Sequence, residues 1–190
     1  DLLGEAERRI SVLDPESPAG RRLGALVRFQ QGDHLYHAGH FVEARQAYRE
    51  VAGRTGVLSQ ALPDDDGRVL DVAISALRAV AASWALGDLP AVRDDLGRAE
   101  TVLDDLLTRR PDDERALLAR AEAWTTSGRV ASAEGDHESA QVRFADAVAL
   151  LDALRERRPG DPVVVEQWAA AVGAQAEQHW LEDRHDDAMA

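Results

Sequence analysis

Prolines at positions 15, 63, 111 and 159 stand 48 residues apart, so that four of the seven prolines fall on one comb. Stacked at that spacing, other residues come into register. Gly39, Gly87 and Gly135 form a second column that continues into Asp183, and Ala25, Ala73, Ala121 and Ala169 form an unbroken third. Tyr36, Trp84, Ser132 and Trp180 make a fourth, Tyr48, Leu96 and Phe144 a fifth, and Leu58, Leu106 and Leu154 a sixth. A fixed period of this length is the mark of a repeat architecture, in which each unit buries its apolar face on the next.

Within each period the apolar residues recur at helical spacing, as in Leu70, Val72, Ala73, Ile74, Leu77, Val80, Ala81 and Trp84, and no useful stretch alternates as a strand would. The glycine column is placed as a helix C-cap, because glycine accepts the left-handed backbone that ends a helix. Ser17-Pro18 and Asp161-Pro162 read as an N-cap followed by proline in the first turn, and Pro90 sits similarly early. The spacing predicts an all-α chain, an α-solenoid of antiparallel helix pairs. The first helix of each pair covers roughly 18 to 38, 66 to 86, 112 to 134 and 162 to 182; the second covers roughly 41 to 61, 89 to 109 and 137 to 157. Residues 1–14 align with the end of a preceding helix. Residues 15–62, 63–110 and 111–158 are repeats, and 159–190 is a partial fourth that stops early in its second helix, all within one array. Gly53 and Gly56 fall inside the first of these second helices, where each glycine costs on the order of 1 kcal/mol; a kink or early stop belongs there if anywhere, the two readings being that packing overrides the glycines or that they form a hinge.

Composition narrows the function classes. The formal net charge is −13, which argues against a broad phosphate-attracting surface and so against nucleic acid. Cysteine is absent, which removes disulfides, thiolate nucleophiles and Cys-ligated zinc and fits a reducing compartment. No apolar run reaches the roughly 18 residues of a membrane span, and the first residues have no signal layout. The expectation is a soluble, cytoplasmic chain with no membrane partner. All 22 cationic residues are Arg, Asn is absent and Ile occurs only at Ile10 and Ile74, a bias toward GC-rich codons that suggests a bacterial source of actinobacterial type.

The pattern resembles the tetratricopeptide repeat, a helix-turn-helix unit usually of about 34 residues. Trp124 and Gly128 stand in that family's relation, Gly32 and Gly128 precede Ala44 and Ala140 by its interval, and Ala44-x3-Tyr48 and Ala140-x3-Phe144 reproduce its second half. Ser127 stands where Leu is usual, Leu35 and Ala131 where Tyr is usual, and the closing proline comes seven residues late, about two helical turns. The same extension precedes Trp124, so both helices lengthen equally. Long repeats of this kind look like arrays attached to bacterial signalling proteins, and the resemblance names a scaffold without a reaction.

What the resemblance implies is a groove lined by the first helix of each pair that binds a peptide or partner helix. Carried over, it points to Leu26, Phe29, Asp33, Tyr36 and His37, to Ile74, Leu77 and Trp84, and to Arg129, Glu177 and Trp180. The first two repeats offer apolar and aromatic side chains suited to an amphipathic helix. The competing reading is that Tyr36, Trp84 and Trp180 fill the seam between helices. Residues 1–62 carry eight acidic and eight basic side chains, so the remaining 27 acidic and 14 basic hold the whole net charge, and a basic segment could be steered there. Some family members clamp a terminal carboxylate with Lys and Asn; neither residue occurs here.

No catalytic residue is assigned, since the chain has no Gly-rich phosphate loop and no G-x-S-x-G elbow. His34, His37 and His40 are spaced His-x2-His-x2-His, but His40 falls past the cap and a zinc site needs three or four converging ligands, so neither metal nor cofactor is expected. His137 and His185 share one column by duplication, and the acidic clusters Asp64-Asp65-Asp66 and Asp112-Asp113-Glu114 sit at helix starts, where negative charge complements the dipole. The reading is therefore a protein-interaction scaffold. The alternative is the sensor segment of a larger signalling kinase, protease or ATPase whose catalytic domain lies elsewhere. Uncapped ends also leave room for self-association.

Overall fold

At the turns the structure describes between helices, specific backbone and side-chain partners take up the groups that a helix end leaves over. In the computed structural model, which describes residues 17–61 and 66–189, seven helices are formed and no strand occurs among the described residues. They are α1 (Pro18–His37), α2 (Phe41–Ala61), α3 (Asp66–Ala85), α4 (Leu89–Arg109), α5 (Glu114–Ala133), α6 (His137–Arg157) and α7 (Pro162–Met189).

Three of the turns are built identically, 48 residues apart. Gly39, Gly87 and Gly135 have φ of 82°, 69° and 79°, the left-handed region that a Cβ disfavours. Their N–H groups donate to Tyr36, Trp84 and Ser132 carbonyls, and the N–H groups of His40, Asp88 and Asp136 donate back to Leu35, Ser83 and Ala131 at 2.9 to 3.0 Å. These paired bonds satisfy carbonyls that a bare helix end would orphan. The next helix is then capped: Asp88 Oδ1 accepts the Ala91 N–H at 3.2 Å and Asp136 Oδ1 the Ser139 N–H at 3.1 Å. Ser17 Oγ accepts the Gly20 N–H at 3.0 Å with Pro18 in the first turn, and Asp161 caps the Val163 N–H ahead of α7 in the same way. Pro111 and Pro159 both lie between helices, while Pro15, Pro63, Asp64 and Asp65 are outside the described residues, as is the expected helix end over 1–14.

One expectation changes. The fourth member of the glycine column is Asp183, and α7 runs through it from Pro162 to Met189, so the expected break near 182 and the start of a fourth second helix are not formed. A left-handed residue with a side chain costs roughly 1–2 kcal/mol, whereas continuing the helix keeps every backbone bond. Nor does α2 break at Gly53 or Gly56, since it is unbroken from Phe41 to Ala61.

The chain divides into two compact units, residues 1–106 and 107–190. In the first, α1 packs on α2 and α2 on α3. Arg28 pairs with Glu50 and Asp33 with Tyr48, so the partners run in opposite directions along α1 and α2. The core that α1, α2 and α3 share is Ala44, Tyr48, Ala79 and Ala82, with Phe29, Leu35 and Tyr36 partly buried against it. Tyr48 fills the space over Gly32, where a Cβ would stand 2.8 Å from its Cε1.

The second unit repeats the device. α5 packs on α6, α6 on α7 and α5 on α7. Phe144 covers Gly128, where a Cβ would stand 2.6 Å from its ring, and Ala121, Leu151, Leu154, Val164 and Ala171 continue the core. The same two columns in the second repeat hold Val80 and Leu96, both buried. Where the small member grows from Gly to Val, the large one shrinks from aromatic to Leu, which is how interiors hold volume constant.

Candidate protein-docking surface

The residues of the expected groove divide by exposure. In the first unit Leu26 is 55% exposed and Trp84 39%, with His37 also exposed and Ile74 half-buried. Leu77, by contrast, is 3% exposed and belongs to the core of α3, so it is not available to a partner. Phe29 is half-buried with its ring edge-on to Tyr48 at 5.6 Å between centroids. Asp33 accepts the Tyr48 hydroxyl at 2.8 Å, and burial followed by this bond raises the phenol above its ordinary range. Asp33 thus has a structural task in addition to any on the surface. Tyr36 is half-buried, edge-on to Phe41 at 5.3 Å and to His37 at 5.9 Å, and so fills the seam at the α1 to α2 turn.

In the second unit Arg129 and Glu177 are exposed, Trp180 is 55% exposed and its neighbour Leu181 39%. The column Tyr36, Trp84, Trp180 therefore splits. The tyrosine is seam-filling, and the two tryptophans present large apolar area to solvent. Isolated exposed apolar residues are ordinary, but tryptophan is seldom left in water without a use.

The histidine triplet does not converge. His34, His37 and His40 are all exposed, α1 ends at His37 so that His40 lies past the turn, and no three His, Asp or Glu side chains among the described residues are placed to hold a metal ion. His137 has a structural role: the Gln178 amide, 1% exposed on α7, donates to its Nδ1 at 2.8 Å, which puts the neutral ring's proton on Nε2. The side chain of His185 lies outside the described residues. Of the acidic cluster at the start of α5, Asp113 is the N-cap, its Oδ1 accepting from Arg115 and Ala116 at 3.1 Å.

The sequence pattern missed an electrostatic seam in the first unit. Arg49 on α2 reaches Asp95 on α4 through Nε at 3.0 Å and Nη2 at 2.8 Å, and Arg45 Nη1 reaches Asp88 at 2.7 Å. Asp95 is 1% exposed and also receives a long contact from Ser83 Oγ at 3.5 Å. Arg45 holds the Asp88 carboxyl below its usual range, with the Ala91 N–H helping, and the Asp95 carboxylate raises the Arg49 guanidinium. The only available signal was Arg45 and Arg49 on one face of α2 with Asp88 and Asp95 two turns apart. It is not periodic: the corresponding positions 96 and 48 residues on are Gln141, Ala145, Asp136 and Arg143. Arg120, 6% exposed, was likewise missed; its guanidinium stands 5.6 Å from the centre of the Trp124 ring. On α6, Arg155 stacks over Trp168 at 4.1 Å.

No helix among the described residues is long and apolar enough to cross a membrane. No protein-family model matches the chain, and no curated protein matches it.

Proposed function

We propose that the chain is a docking module: an α-solenoid of long tetratricopeptide-like helix pairs that holds an amphipathic partner helix or peptide on the faces of its first helices. Support for the repeat comes from the identical glycine turns at 39, 87 and 135 and from the paired packing of Gly32 under Tyr48 and Gly128 under Phe144.

The observation that carries the docking reading is the exposure of Trp84 and Trp180, members of one repeat column, at 39% and 55%. A rigid aromatic offers large contact area at small entropic loss, which is why such residues anchor interfaces. Leu26 on α1 adds an aliphatic anchor in the first unit, and Glu177 beside Trp180 favours a basic flank on the ligand.

The test is capture by the intact chain followed by mass spectrometry, repeated with Trp84→Ala and Trp180→Ala. A partner retained by the parent and lost from both variants, at unchanged melting temperature, supports the reading. Equal capture by parent and variants overturns it.

A further inference from the structure

Two columns of the repeat tie the first helix of a pair to the second. In the first repeat they hold Asp33 and Tyr48, and the carboxylate accepts the phenol hydroxyl at 2.8 Å. In the second they hold Ala81 and Leu96, and in the third Arg129 and Phe144. Among these three pairs an acid stands in one column only where a hydroxyl stands in the other. The residue before the acid is the seat for the large side chain: Tyr48 lies directly on Gly32, as Phe144 lies on Gly128.

In α7 the columns of Gly32 and Asp33 hold Ala176 and Glu177, a small residue followed by an acid. Gly32 and Gly128 are buried by the rings above them, whereas Ala176 and Glu177 are both exposed. α7 turns Val164, Ala171 and Ala174 toward α5 and α6, so this side of the helix faces solvent. The side-chain sizes fit a phenol. A ring seated on Ala176 stands further from the backbone than Tyr48 does on Gly32, by the thickness of a methyl, and glutamate reaches one methylene further than aspartate. The two changes offset each other and keep the hydroxyl within reach of the carboxylate, a charge-assisted bond stronger than one between neutral groups.

Charge decides what flanks that tyrosine. Over residues 162–189 the sequence of α7 has six acidic side chains against one arginine, Arg184, in a chain whose net charge is −13. Such a field draws in a basic segment and opposes an acidic one. The alternation of apolar and charged faces needed to lie along a helix makes that segment an amphipathic helix.

We propose that α7 seats a basic amphipathic helix through a tyrosine, whose ring lies on Ala176 and whose hydroxyl donates to Glu177. This rests on the docking reading above and names the chemistry of the partner. The probe is a synthetic peptide of residues 41–61, with Gly53→Ala and Gly56→Ala to raise its helicity, which presents Tyr48 between Arg45 and Arg49. Titrated calorimetrically into the whole protein, one peptide binds per molecule, and the peptide carrying Tyr48→Phe binds about fivefold more weakly. Glu177→Ala protein binds the tyrosine peptide about fivefold more weakly and no longer distinguishes it from the phenylalanine peptide, the non-additivity of a direct contact. Ala176→Leu, at an exposed helical position, fills the seat and weakens binding roughly tenfold at unchanged melting temperature. Absence of binding, equal affinity of the two peptides, or a phenylalanine penalty that persists in Glu177→Ala overturns the assignment. So does sedimentation showing that a second copy of the chain holds this face and excludes the peptide. Binding that ignores both Ala176→Leu and Glu177→Ala but falls with Trp180→Ala retains the docking face and removes the tyrosine seat alone.

Discussion

Phe144 lies so close to the backbone of Gly128 that a Cβ at that position would stand 2.6 Å from its Cε1 and 2.8 Å from its Cδ1. Gly128→Ala must therefore shift a buried ring. Overpacking of a tight core costs about 1–3 kcal/mol, offset in part by the better helix propensity of alanine, so a net loss of about 1–2 kcal/mol is expected in chemical denaturation. The second repeat shows the remedy, because Val80 and Leu96 occupy the same two columns. Gly128→Val alone should destabilise strongly, and adding Phe144→Leu should recover at least half of the loss. A double variant no better than the single one would show that the two positions do not exchange volume.

Turn glycines and helix-interior glycines should respond with opposite sign. Gly87 has φ 69° with open space around it, so Gly87→Ala strains only the backbone, by roughly 1 kcal/mol or more. Gly53→Ala, with helical backbone and nothing within 4 Å, should stabilise by about 0.5–1 kcal/mol. Thermal melts of the two variants settle the comparison.

Those turns and caps were legible in the sequence because each rests on one residue type at one place: glycine for a left-handed backbone, Ser17 and Asp161 for orphan N–H groups. The end of α7 was not legible, since the column read as a turn holds Asp183, and the period says where a break belongs but not whether the residue there permits one. The docking face was legible only as a set of positions. Periodicity placed Leu77 and Trp84 alike on one stripe of α3, yet one is buried and the other exposed, because exposure depends on which neighbouring helix covers each level. The Arg49 to Asp95 pair was hidden for the opposite reason: it joins two helices at columns where no other repeat carries the charges.

That pair should give asymmetric results. Asp95 is 1% exposed, while the Arg49 side chain keeps 37% of its surface. Removing the arginine strands a buried carboxylate whose other polar contacts among the described residues are long ones, Ser83 at 3.5 Å and Arg98 at 3.9 Å. Breaking a buried pair costs about 3–5 kcal/mol, and solvent access on the arginine side places Arg49→Ala near the lower bound. Asp95→Asn keeps the shape and leaves no buried charge, so it should lose less than half as much. Equal losses measured by urea unfolding would mean that charge burial is not the controlling term.

Acid should remove stability through the capping carboxylates. Asp88 is lowered by the Arg45 side chain and then by the Ala91 N–H, and Asp136 is lowered by Ser139 through its side chain and then its N–H. A carboxyl depressed in the folded state binds its proton more weakly there than in the unfolded chain. Its contribution is therefore present above the ordinary carboxylate range and is lost as the pH falls through that range toward the folded value. Parent and Asp88→Asn should differ most in stability at neutral pH and converge as the solution becomes strongly acidic, with the same pattern for Asp136→Asn. Urea unfolding midpoints followed from pH 7 to pH 3 test the sign: a gap between parent and Asp88→Asn that widens on acidification contradicts the assignment of these caps as charge-stabilised.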